Sequence, residues 1–388
     1  MKRSTERILT THTGSIARPD DLIAIMREKE NGRPYDRDAF AARVRSAVAE
    51  CVERQVAAGL DVINDGEQGK SGFTSYQEER LSGFEAIPID PANRPPSPWR
   101  EVREFPEYYE RYMRSNMMGA ALAPPRRMVC RGQVNYIGHD AVQTDIDNLK
   151  AALEGKSYDE AFMSAALPTG LANQDDEHYP DRESFLNALA DAVHEEYRAI
   201  IDAGFLIQLD DPQAAELWGF RDLPEAERDR KIGEQIDLIN YSLRGIPEDR
   251  IRYHTCYSIN MGPHIYDLHL GDFIDAMLRV NAQAISFEVM NLRHIHDYHA
   301  FEDVTLPDGK IIIPGMSSNG ANWVEHPALI AELTENYARL VGRENVMIGN
   351  DCGFASQAGA REIDPKVGWE KFAALAEGAR LASRHLWA

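Results

Sequence analysis

Residues 252–257, Arg-Tyr-His-Thr-Cys-Tyr, predict a β-strand, because aromatic and β-branched side chains run together before a looser turn at 258–263. Side chains alternate along a strand, so His254 and Cys256 are expected to project to the same side. An imidazole beside a thiolate suits zinc, which takes nitrogen and sulfur ligands in tetrahedral geometry. The stretch therefore predicts both a strand and one half of a metal site.

Two more candidate ligands follow in the sequence, each at the far end of a short apolar run. Glu288 lies within residues 284–289 and Cys352 within residues 346–353, and both runs predict strands. A ligand set carried on the ends of separate strands is typical of an active site. The alternatives are a structural zinc site or two unrelated buried cysteines.

The composition of the chain excludes several classes of protein. Its 388 residues are 43% hydrophobic and 27% charged, which is ordinary for a soluble globular protein. No apolar run reaches about 18 residues and no signal-peptide core follows residues 1–7, so we expect a cytoplasmic protein. A formal charge of −21 argues against nucleic acid or an anionic membrane as a partner. The cysteines form no paired pattern, and Cys51 and Cys130 are predicted to be buried thiols.

Strand-like runs alternate with helical patterns along the chain. Apolar residues at helical spacing predict helices at 37–59, 183–203, 227–243, 271–280, 327–341 and 366–386. Strand-like runs, besides those with candidate ligands, lie at 8–15, 61–67, 128–130, 133–137, 161–165, 205–210 and 310–315. The alternation predicts an α/β fold with a parallel sheet. The count predicts one (β/α)₈ TIM barrel over residues 1–388, with at least one strand outside it.

Residues 91–127 interrupt this alternation after the second strand. They begin with a proline-rich stretch and continue with Trp99, Phe105 and three tyrosines. We interpret them as a segment inserted into the barrel. Two roles stay open for this insertion: a lid over the barrel mouth or a contact between subunits of a homo-oligomer.

Two other patterns imitate functional motifs and receive a plainer interpretation. Residues 66–71 resemble the end of a phosphate-binding loop, but a non-glycine residue stands where that motif requires its first glycine. A loop after the seventh strand is crowded with His294, His296, Asp297 and His299. A solvated polar loop is favoured there over a second metal site.

Polar residues gather where several predicted strands end, which is where barrel enzymes carry their active sites. The His-Thr-Cys at 254–256, Glu288 and the Asp-Cys-Gly at 351–353 resemble the zinc signature of the cobalamin-independent methionine synthases. The resemblance covers nearly the whole chain and corresponds to the catalytic C-terminal barrel of the long enzymes. Its further motifs are Thr13-Gly14-Ser15, Gly66-Glu67 and Gln208-Leu209-Asp210-Asp211-Pro212.

The resemblance implies a catalytic Zn²⁺ with His254, Cys256, Glu288 and Cys352 as its ligands. Zinc in this family holds a small thiol, homocysteine, as a thiolate for methyl transfer. Two thiolates and a neutral imidazole leave the ion without net charge, which suits that task near neutral pH. The implied function is therefore methyl or other alkyl transfer to a thiol.

The resemblance also implies which residues hold the thiol substrate. In the family, acids grip the amino group of homocysteine and a serine with its backbone holds the carboxylate. Two further aspartates are expected to orient ligands. The matching positions are Glu67 and Asp210 for the amino group, Gly14 and Ser15 for the carboxylate, and Asp211 and Asp351 for ligand orientation.

Two departures from the family leave the alkyl donor open. Residues 313–320 contain no histidine, although the family carries there the histidine that protonates the leaving folate amine. Residues 165–170 contain no tryptophan on which folate would stack. A folate, a corrinoid protein and an epoxide all stay open as donors. The catalytic acid is unassigned, with His12, Tyr257 and Ser318 as weak candidates.

Two alternative functions stay open. One is that of a short relative, epoxyalkane:coenzyme M transferase, which opens an epoxide with a zinc thiolate. Such a reaction favours a basic residue that faces the metal, and Lys70 or Arg18 are candidates for that place. The other is a non-catalytic zinc-binding scaffold, which would have a closed four-ligand site with no cavity beside it.

Overall fold

A computed structural model describes residues 1–73, 75–89, 99–114, 122–123, 126–215, 223–257 and 261–388. Its strands, in chain order, are β1 Leu9–Thr10, β2 Val62–Ile63, β3 Phe84–Pro88, β4 Arg126–Cys130, β5 Glu160–Ala166, β6 Asp175–Asp176, β7 Leu206–Asp210, β8 Ile251–Thr255, β9 Ala284–Phe287, β10 Ile311–Pro314 and β11 Met347–Ile348. Its helices are α1 Asp20–Glu30, α2 Arg37–Ala57, α3 Gln77–Arg80, α4 Arg100–Glu104, α5 Pro106–Arg114, α6 His139–Leu153, α7 Thr169–Ala172, α8 Arg182–Asp202, α9 Pro212–Ala215, α10 Glu225–Ser242, α11 Ile274–Leu278, α12 Ala300–Asp303, α13 Pro327–Val341 and α14 Pro365–Leu386.

Six parallel strands form a curled sheet in the order β10-β9-β8-β7-β5-β2. The strand β8 lies between β7 and β9, with His254 opposite Asp210 on one side and Ser286 on the other. In parallel strands the carboxyl ends meet at one edge of the sheet. The polar residues that end these strands are therefore brought together there.

The strands β1 and β11 form a second parallel pair, which is linked to both edges of the sheet. Parallel bridges join Ile312 to Val346 and Gly315 to Gly349, and the backbone N–H of Asp61 donates to β1 at 3.1 Å. One buried cluster takes side chains from seven of the strands: Leu9, Val62, Phe162, Leu206, Ala284, Ile311, Ile313 and Met347. The strands therefore curl around a shared apolar interior.

The bounds of the long helices follow from their capping residues. Asp181 accepts the N–H of Ser184 at 2.8 Å before α8, and Asp364 accepts the N–H of Lys366 at 2.8 Å before α14. The helix α13 ends at Gly342, whose φ of 87° is in the left-handed region that glycine adopts freely. Among the helices in the described ranges, none is long and apolar enough to cross a membrane.

Most of the predicted elements are confirmed, and one strand is wrong. The helix predicted at 327–341 matches α13, whereas the stretch 133–137 contains only an isolated bridge between Leu81 and Tyr136. The strands β3, β4 and β6 form a small separate sheet, in which β3 and β4 are antiparallel. The strand predicted at 128–130 therefore lies outside the parallel sheet. This agrees with the prediction that at least one strand lies outside the barrel.

The structure describes the segment 91–127 only in part. It contains α4 and α5, and the side chain of Tyr112 is buried. The backbone N–H of Met261 donates to the Tyr112 hydroxyl at 3.1 Å, so α5 lies against the loop that follows β8. The proline-rich start of the segment and residues 258–260 of the predicted turn lie outside the described residues.

Candidate metal centre and adjoining cavities

Three of the predicted zinc ligands meet at the carboxyl ends of β8 and β11. His254 belongs to β8, Cys256 follows it directly, and Cys352 follows β11. One ligand atom of each lies within 4.8 Å of the others, and the two Sγ atoms are 3.4 Å apart. All three residues are buried, and neither cysteine forms a disulfide. Two thiols and an imidazole thus converge on one point.

The imidazole of His254 is oriented as a metal ligand requires. Its Nδ1 lies 3.0 Å from the Ser286 hydroxyl, and its buried Nε2 has no hydrogen-bond partner among the described residues. Burial, reinforced by the charge of Arg252, lowers the pKa of His254 to about 3, so the ring is neutral at pH 7. A neutral imidazole with one orphaned nitrogen beside two thiols fits the donor set of zinc.

Glu288, the fourth predicted ligand, lies outside this group of three. Its Oε2 accepts the backbone N–H of Tyr257 at 3.0 Å, and its Oε1 accepts from the Asn291 amide at 3.3 Å. Burial raises the pKa of Glu288. The carboxylate is therefore bonded to the residue next to Cys256, and its role as a ligand stays a prediction.

Asp211 and Asp351, predicted to orient ligands, each brace the end of a strand. Asp211 donates its backbone N–H to the carbonyl of His254 at 2.8 Å, and two buried side chains donate to its carboxylate. The Oδ1 of Asp351 accepts the N–H groups of Val289 and Met290, both at 2.9 Å. These contacts hold the backbone at His254 and next to Glu288, and the role of the two aspartates in ligand orientation stays a prediction.

A small cavity of about 80 Å³ lies beside the two thiols, and we call it the thiol cavity. Three of the four predicted substrate residues line it, and so do the three converging ligands. Its walls include Ser15, Glu67, Asp210, His254, Cys256 and Cys352. The fourth predicted substrate residue, Gly14, is not among the residues that line it.

The thiol cavity contains two neighbouring carboxylates whose oxygens are incompletely hydrogen-bonded and which repel each other. The Oε2 of Glu67 is buried without a hydrogen-bond partner in the described structure, and a guanidinium nitrogen of Arg18 lies 3.8 Å away. Asp210 accepts a hydrogen bond from Gln208 at 2.9 Å. Burial and the neighbouring Glu67 carboxylate raise the pKa of Asp210 well above its ordinary value. A cation bound between the two would relieve this repulsion.

Two glycines allow the walls of this cavity to approach each other. Gly14 has a φ of 142°, and a Cβ there would lie 2.5 Å from the Ser164 hydroxyl and 2.7 Å from Oε1 of Glu67. A Cβ on Gly353 would overlap the hydroxyl of Ser15. The glycine in each motif is therefore required by close packing around the candidate substrate residues.

Three residues proposed for proton transfer or for sulfonate binding do not line the thiol cavity. His12 hydrogen-bonds Gln55 at 2.7 Å in the core, and burial lowers its pKa to about 3. Lys70 donates to the carbonyl of Ser164 at 2.5 Å, and Arg18 donates to the carbonyl of Lys70 at 3.0 Å. The side chains of Lys70 and Arg18 therefore both donate to backbone carbonyls.

Of the other two candidate acids, Tyr257 directly follows Cys256, and Ser318 lines a cavity that Glu288 also lines. The ring of Tyr257 stacks on His294 with centroids 3.9 Å apart, and its hydroxyl donates to the carbonyl of Leu268 at 2.7 Å. Ser318 accepts the N–H of Gly320 at 3.1 Å. Neither contact identifies an acid, so both residues stay predictions.

A larger cavity of about 610 Å³ adjoins the centre through Glu288, and we call it the outer cavity. The loops that follow β8, β9 and β10 form its walls. Its wall residues include His264, Glu288, Met290, Leu292, Asn319 and Trp323. Sequence reasoning did not predict this cavity.

A buried cluster of charged side chains supports one wall of the outer cavity. Asp267 contacts His264 at 2.8 Å and His294 at 3.0 Å, and His294 contacts Asp297 at 2.8 Å. Burial opposes the charge on His294, but the two carboxylates raise its pKa to about 9. The interpretation as a solvated loop is therefore wrong for His294 and Asp297, which are buried. The His-x-x-Asp spacing at 264–267 and at 294–297 is the sequence signal that was missed.

The fold and the site together define a class: a parallel α/β protein with a cysteine–histidine centre at the carboxyl ends of its strands. No family model matches the chain. The methionine synthase of Pyrococcus furiosus is 23% identical over 379 residues, which cover 97% of this chain and 93% of that protein. The 5-methyltetrahydropteroyltriglutamate–homocysteine methyltransferase of Vibrio harveyi is 22% identical over 360 residues, which cover 90% of this chain and 40% of that enzyme.

The fold is shared with a solved structure of the same kind of enzyme. The B12-independent methionine synthase from Shewanella sp. W3-18-1, in complex with selenomethionine, superposes with a TM-score of 0.69 at 18% identity. The match covers 98% of this chain and 99% of that one. Over nearly its whole length the chain is thus similar to methionine synthases, and the resemblance indicated by its motifs is confirmed. Its homologues are enzymes.

Proposed function

We propose that this protein is a zinc-dependent, methionine synthase-like alkyltransferase whose acceptor is a small thiol with an amino group, such as homocysteine. One observation carries the proposal: two thiols, a neutral imidazole and two carboxylates line a single cavity. The first three groups are ligands that zinc prefers, and the carboxylates offer a place for an ammonium group. The homology to methionine synthases supports the same conclusion.

His254, Cys256 and Cys352 would hold the zinc, and Glu288 is the fourth ligand that the family motif predicts. Zinc held by two thiolates and an imidazole lowers the pKa of a thiol that joins it, so that the thiol is nucleophilic near neutral pH. The chain contributes rigidity, because strand ends braced by aspartates carry these side chains. Such bracing keeps the ligands pre-organised.

Glu67 and Asp210 would bind the ammonium group of the thiol substrate, and Ser15 its carboxylate. Both acids line the same small cavity as the cysteines, and they lie close enough for Glu67 to raise the pKa of Asp210. An ammonium group placed between them would favour the charged form of Asp210. A cavity of about 80 Å³ suits a small acceptor.

We also infer that the strands close into one (β/α)₈ barrel in a single domain, with the segment 91–127 as an insertion. The bridges from β10 to β11 and the hydrogen bond from Asp61 to β1 support closure. The contact of α5 with the loop at Met261 supports a position for the insertion over the outer cavity, which Met261 also lines.

The epoxide-opening alternative receives less support than methyl or other alkyl transfer. It favoured a basic residue facing the metal, yet Lys70 and Arg18 are absent from the walls of the thiol cavity and donate to backbone carbonyls. A non-catalytic scaffold is disfavoured because two cavities adjoin the candidate centre.

Zinc-edge X-ray absorption with and without thiols tests the proposal. The zinc-loaded protein should show two sulfur ligands at about 2.3 Å, with nitrogen and oxygen completing the shell. Homocysteine should add a third sulfur, whereas coenzyme M and glutathione, offered at equal concentration, should add less. A thiol that joins the zinc must then be alkylated when a donor is supplied.

The matched control is Cys130→Ser, since Cys130 lies in β4 outside the parallel sheet. It should leave the spectrum unchanged, while Cys256→Ser should remove one sulfur. Absence of zinc–sulfur scattering from fully loaded protein would overturn the proposed centre. Two sulfurs that no thiol increases would favour the scaffold.

A further inference from the structure

We propose that the alkyl donor binds in the outer cavity and that His264, held by Asp267, gives a proton to the atom of the donor that loses its alkyl group. The inference rests on the proposed function and assigns two of its missing parts, the donor site and the acid. It therefore selects donors whose leaving atom must be protonated, such as an amine or an epoxide oxygen.

The sizes of the two cavities separate the two substrates. Small-molecule sites usually measure about 300–1,000 Å³. The thiol cavity, at about 80 Å³, has room for a small acceptor only, whereas the outer cavity offers about 610 Å³. Glu288 lines the outer cavity and bonds the backbone beside Cys256, which lines the thiol cavity. A donor in the outer cavity would therefore lie beside the thiol that it alkylates.

The walls of the outer cavity carry exposed apolar side chains that a ligand would cover and an amide that a ligand would hydrogen-bond. Trp323 is 60% exposed and Leu292 is 80% exposed, although residues of this size usually find cover. The amide nitrogen of Asn319 is buried and has no acceptor among the described residues. A buried donor left unpaired is costly, so a ligand with a hydrogen-bond acceptor and an apolar body suits this wall.

His264 is positioned in this wall by strain and by a carboxylate. It has a φ of 54°, and the one other non-glycine residue with positive φ in the described chain is Glu67 of the thiol cavity. Such backbone conformations cluster at functional sites. Its Nδ1 lies 2.8 Å from Asp267, and the next residue, Ile265, donates its N–H to Glu101 at 2.6 Å.

Charged groups of both signs lie around His264. Asp267 is buried and bonded to both His264 and His294, and these contacts lower its pKa although burial opposes them. Glu288 lines the same cavity, and Glu101 bonds the adjacent backbone. Against these carboxylates stand the cations His294 and Arg293. A histidine in this setting can replace the acid that residues 313–320 lack.

The reaction balances without any further reactant. The sulfur of the thiolate forms a bond to the alkyl carbon, and the bond from that carbon to the leaving atom breaks. The leaving atom keeps the electron pair and takes the proton of His264, which solvent restores. The net change is thiol plus alkyl donor to thioether plus protonated leaving group, because the proton that the thiol releases to water replaces the one that His264 takes back from it.

Two kinds of donor separate this role from a structural one. With homocysteine as acceptor, 5-methyltetrahydrofolate and epoxypropane require a proton on the leaving atom, whereas methylcob(III)alamin releases cobalt(I) without one. His264→Asn keeps the left-handed backbone, which asparagine tolerates, and removes the acid. It should lower kcat with a proton-requiring donor at least about 100-fold more than it lowers kcat with methylcob(III)alamin.

The control is His299→Gln, because His299 is exposed and pairs with Glu302 outside the cavity. It should leave all rates unchanged, and Asp267→Asn should lower kcat, not raise KM, with the proton-requiring donor. Equal losses with both kinds of donor, or full activity of His264→Asn, would overturn the role of His264. Wild-type turnover with methylcob(III)alamin alone would overturn it as well.

Donor binding is measured separately, by calorimetry on protein without metal or thiol. The donor that supports turnover should bind Trp323→Ala more weakly than the wild type and bind His264→Asn as well as the wild type. Unchanged affinity in Trp323→Ala would place the donor elsewhere. Failure of every donor and thiol to react in the wild type would instead contradict the proposed function, so the two failures are distinguishable.

Discussion

The thiol cavity is built on the ends of strands, whereas the outer cavity is built on loops. Cys256 directly follows β8 and Cys352 lies shortly after β11, and aspartates hydrogen-bond the backbone at these strand ends. His264 and Trp323 lie in longer connections. Strand ends place side chains within narrow limits, and loops vary freely between relatives. Under the proposed function, such a fold would keep its thiol chemistry constant while its alkyl donor changes.

The strongest way to break this comparison is to remove a ligand from the thiol cavity. Cys256→Ser should lower zinc affinity by more than about 100-fold, because loss of a mere supporting residue already costs about 10–100-fold. Competition against a chromophoric chelator measures the change. Donor binding to the outer cavity should survive, since Cys256 is not among its walls. Parallel loss of donor binding would show that the two cavities are one site.

The second prediction concerns the choice of thiol. Glu67→Gln removes one of the two charges offered to the ammonium group, and charge-assisted hydrogen bonds contribute about 1.5–3 kcal/mol. KM for homocysteine should therefore rise by about 10–100-fold, while a thiol without an amino group should be unaffected. Steady-state kinetics with homocysteine and 3-mercaptopropionate measure both. An equal loss with the two thiols would contradict ammonium binding.

The third prediction concerns the stability of the thiol cavity without its substrate. Because the pKa of Asp210 is raised in the folded protein, its contribution to stability is present at low pH and is lost as the pH rises through that raised value. Asp210→Asn should therefore raise the free energy of unfolding at pH 8, by on the order of 1 kcal/mol, and this gain should vanish on acidification. Urea denaturation of metal-free protein across pH measures it.

Asp202→Asn is the matched control, since Asp202 is exposed at the end of α8 and pairs with Arg198 there. Its effect on unfolding should be small at every pH. A stability gain for Asp210→Asn that does not depend on pH would show that repulsion between buried carboxylates is not its cause.

The same contrast explains how far the sequence could predict this protein. The alternation along 252–257 placed His254 and Cys256 together, and the motifs brought Cys352 to them, because strand geometry is local and periodic. The prediction of a strand at 133–137 was wrong because apolar residues there are buried by packing, although no neighbouring strand pairs with the whole segment. Local pattern alone cannot separate these two cases.

The outer cavity could not be derived in the same way, because no periodic pattern joins its walls. His264 and Asn319 are far apart in sequence and meet only through the order of strands in the sheet. The buried pairing of Asp267 with His294 likewise joins loops that follow different strands. Only the His-x-x-Asp spacing at 264–267 and 294–297 hinted at this pairing, and the same spacing also occurs at 178–181 and 269–272.

The smallest expected effect lies at Glu288, which lines the outer cavity and accepts the backbone N–H of the residue after Cys256. Asn291→Ala removes the 3.3 Å contact to Oε1 of Glu288 and leaves the 3.0 Å contact from the backbone of Tyr257. One partly buried hydrogen bond contributes about 1 kcal/mol, so zinc affinity should change by less than about 10-fold if the second contact holds the carboxylate. Chelator competition and urea denaturation measure both consequences. A loss as large as that of Cys256→Ser would mean that the outer loops, and not the strand ends, position this ligand, and the division between the two cavities would fail at that residue.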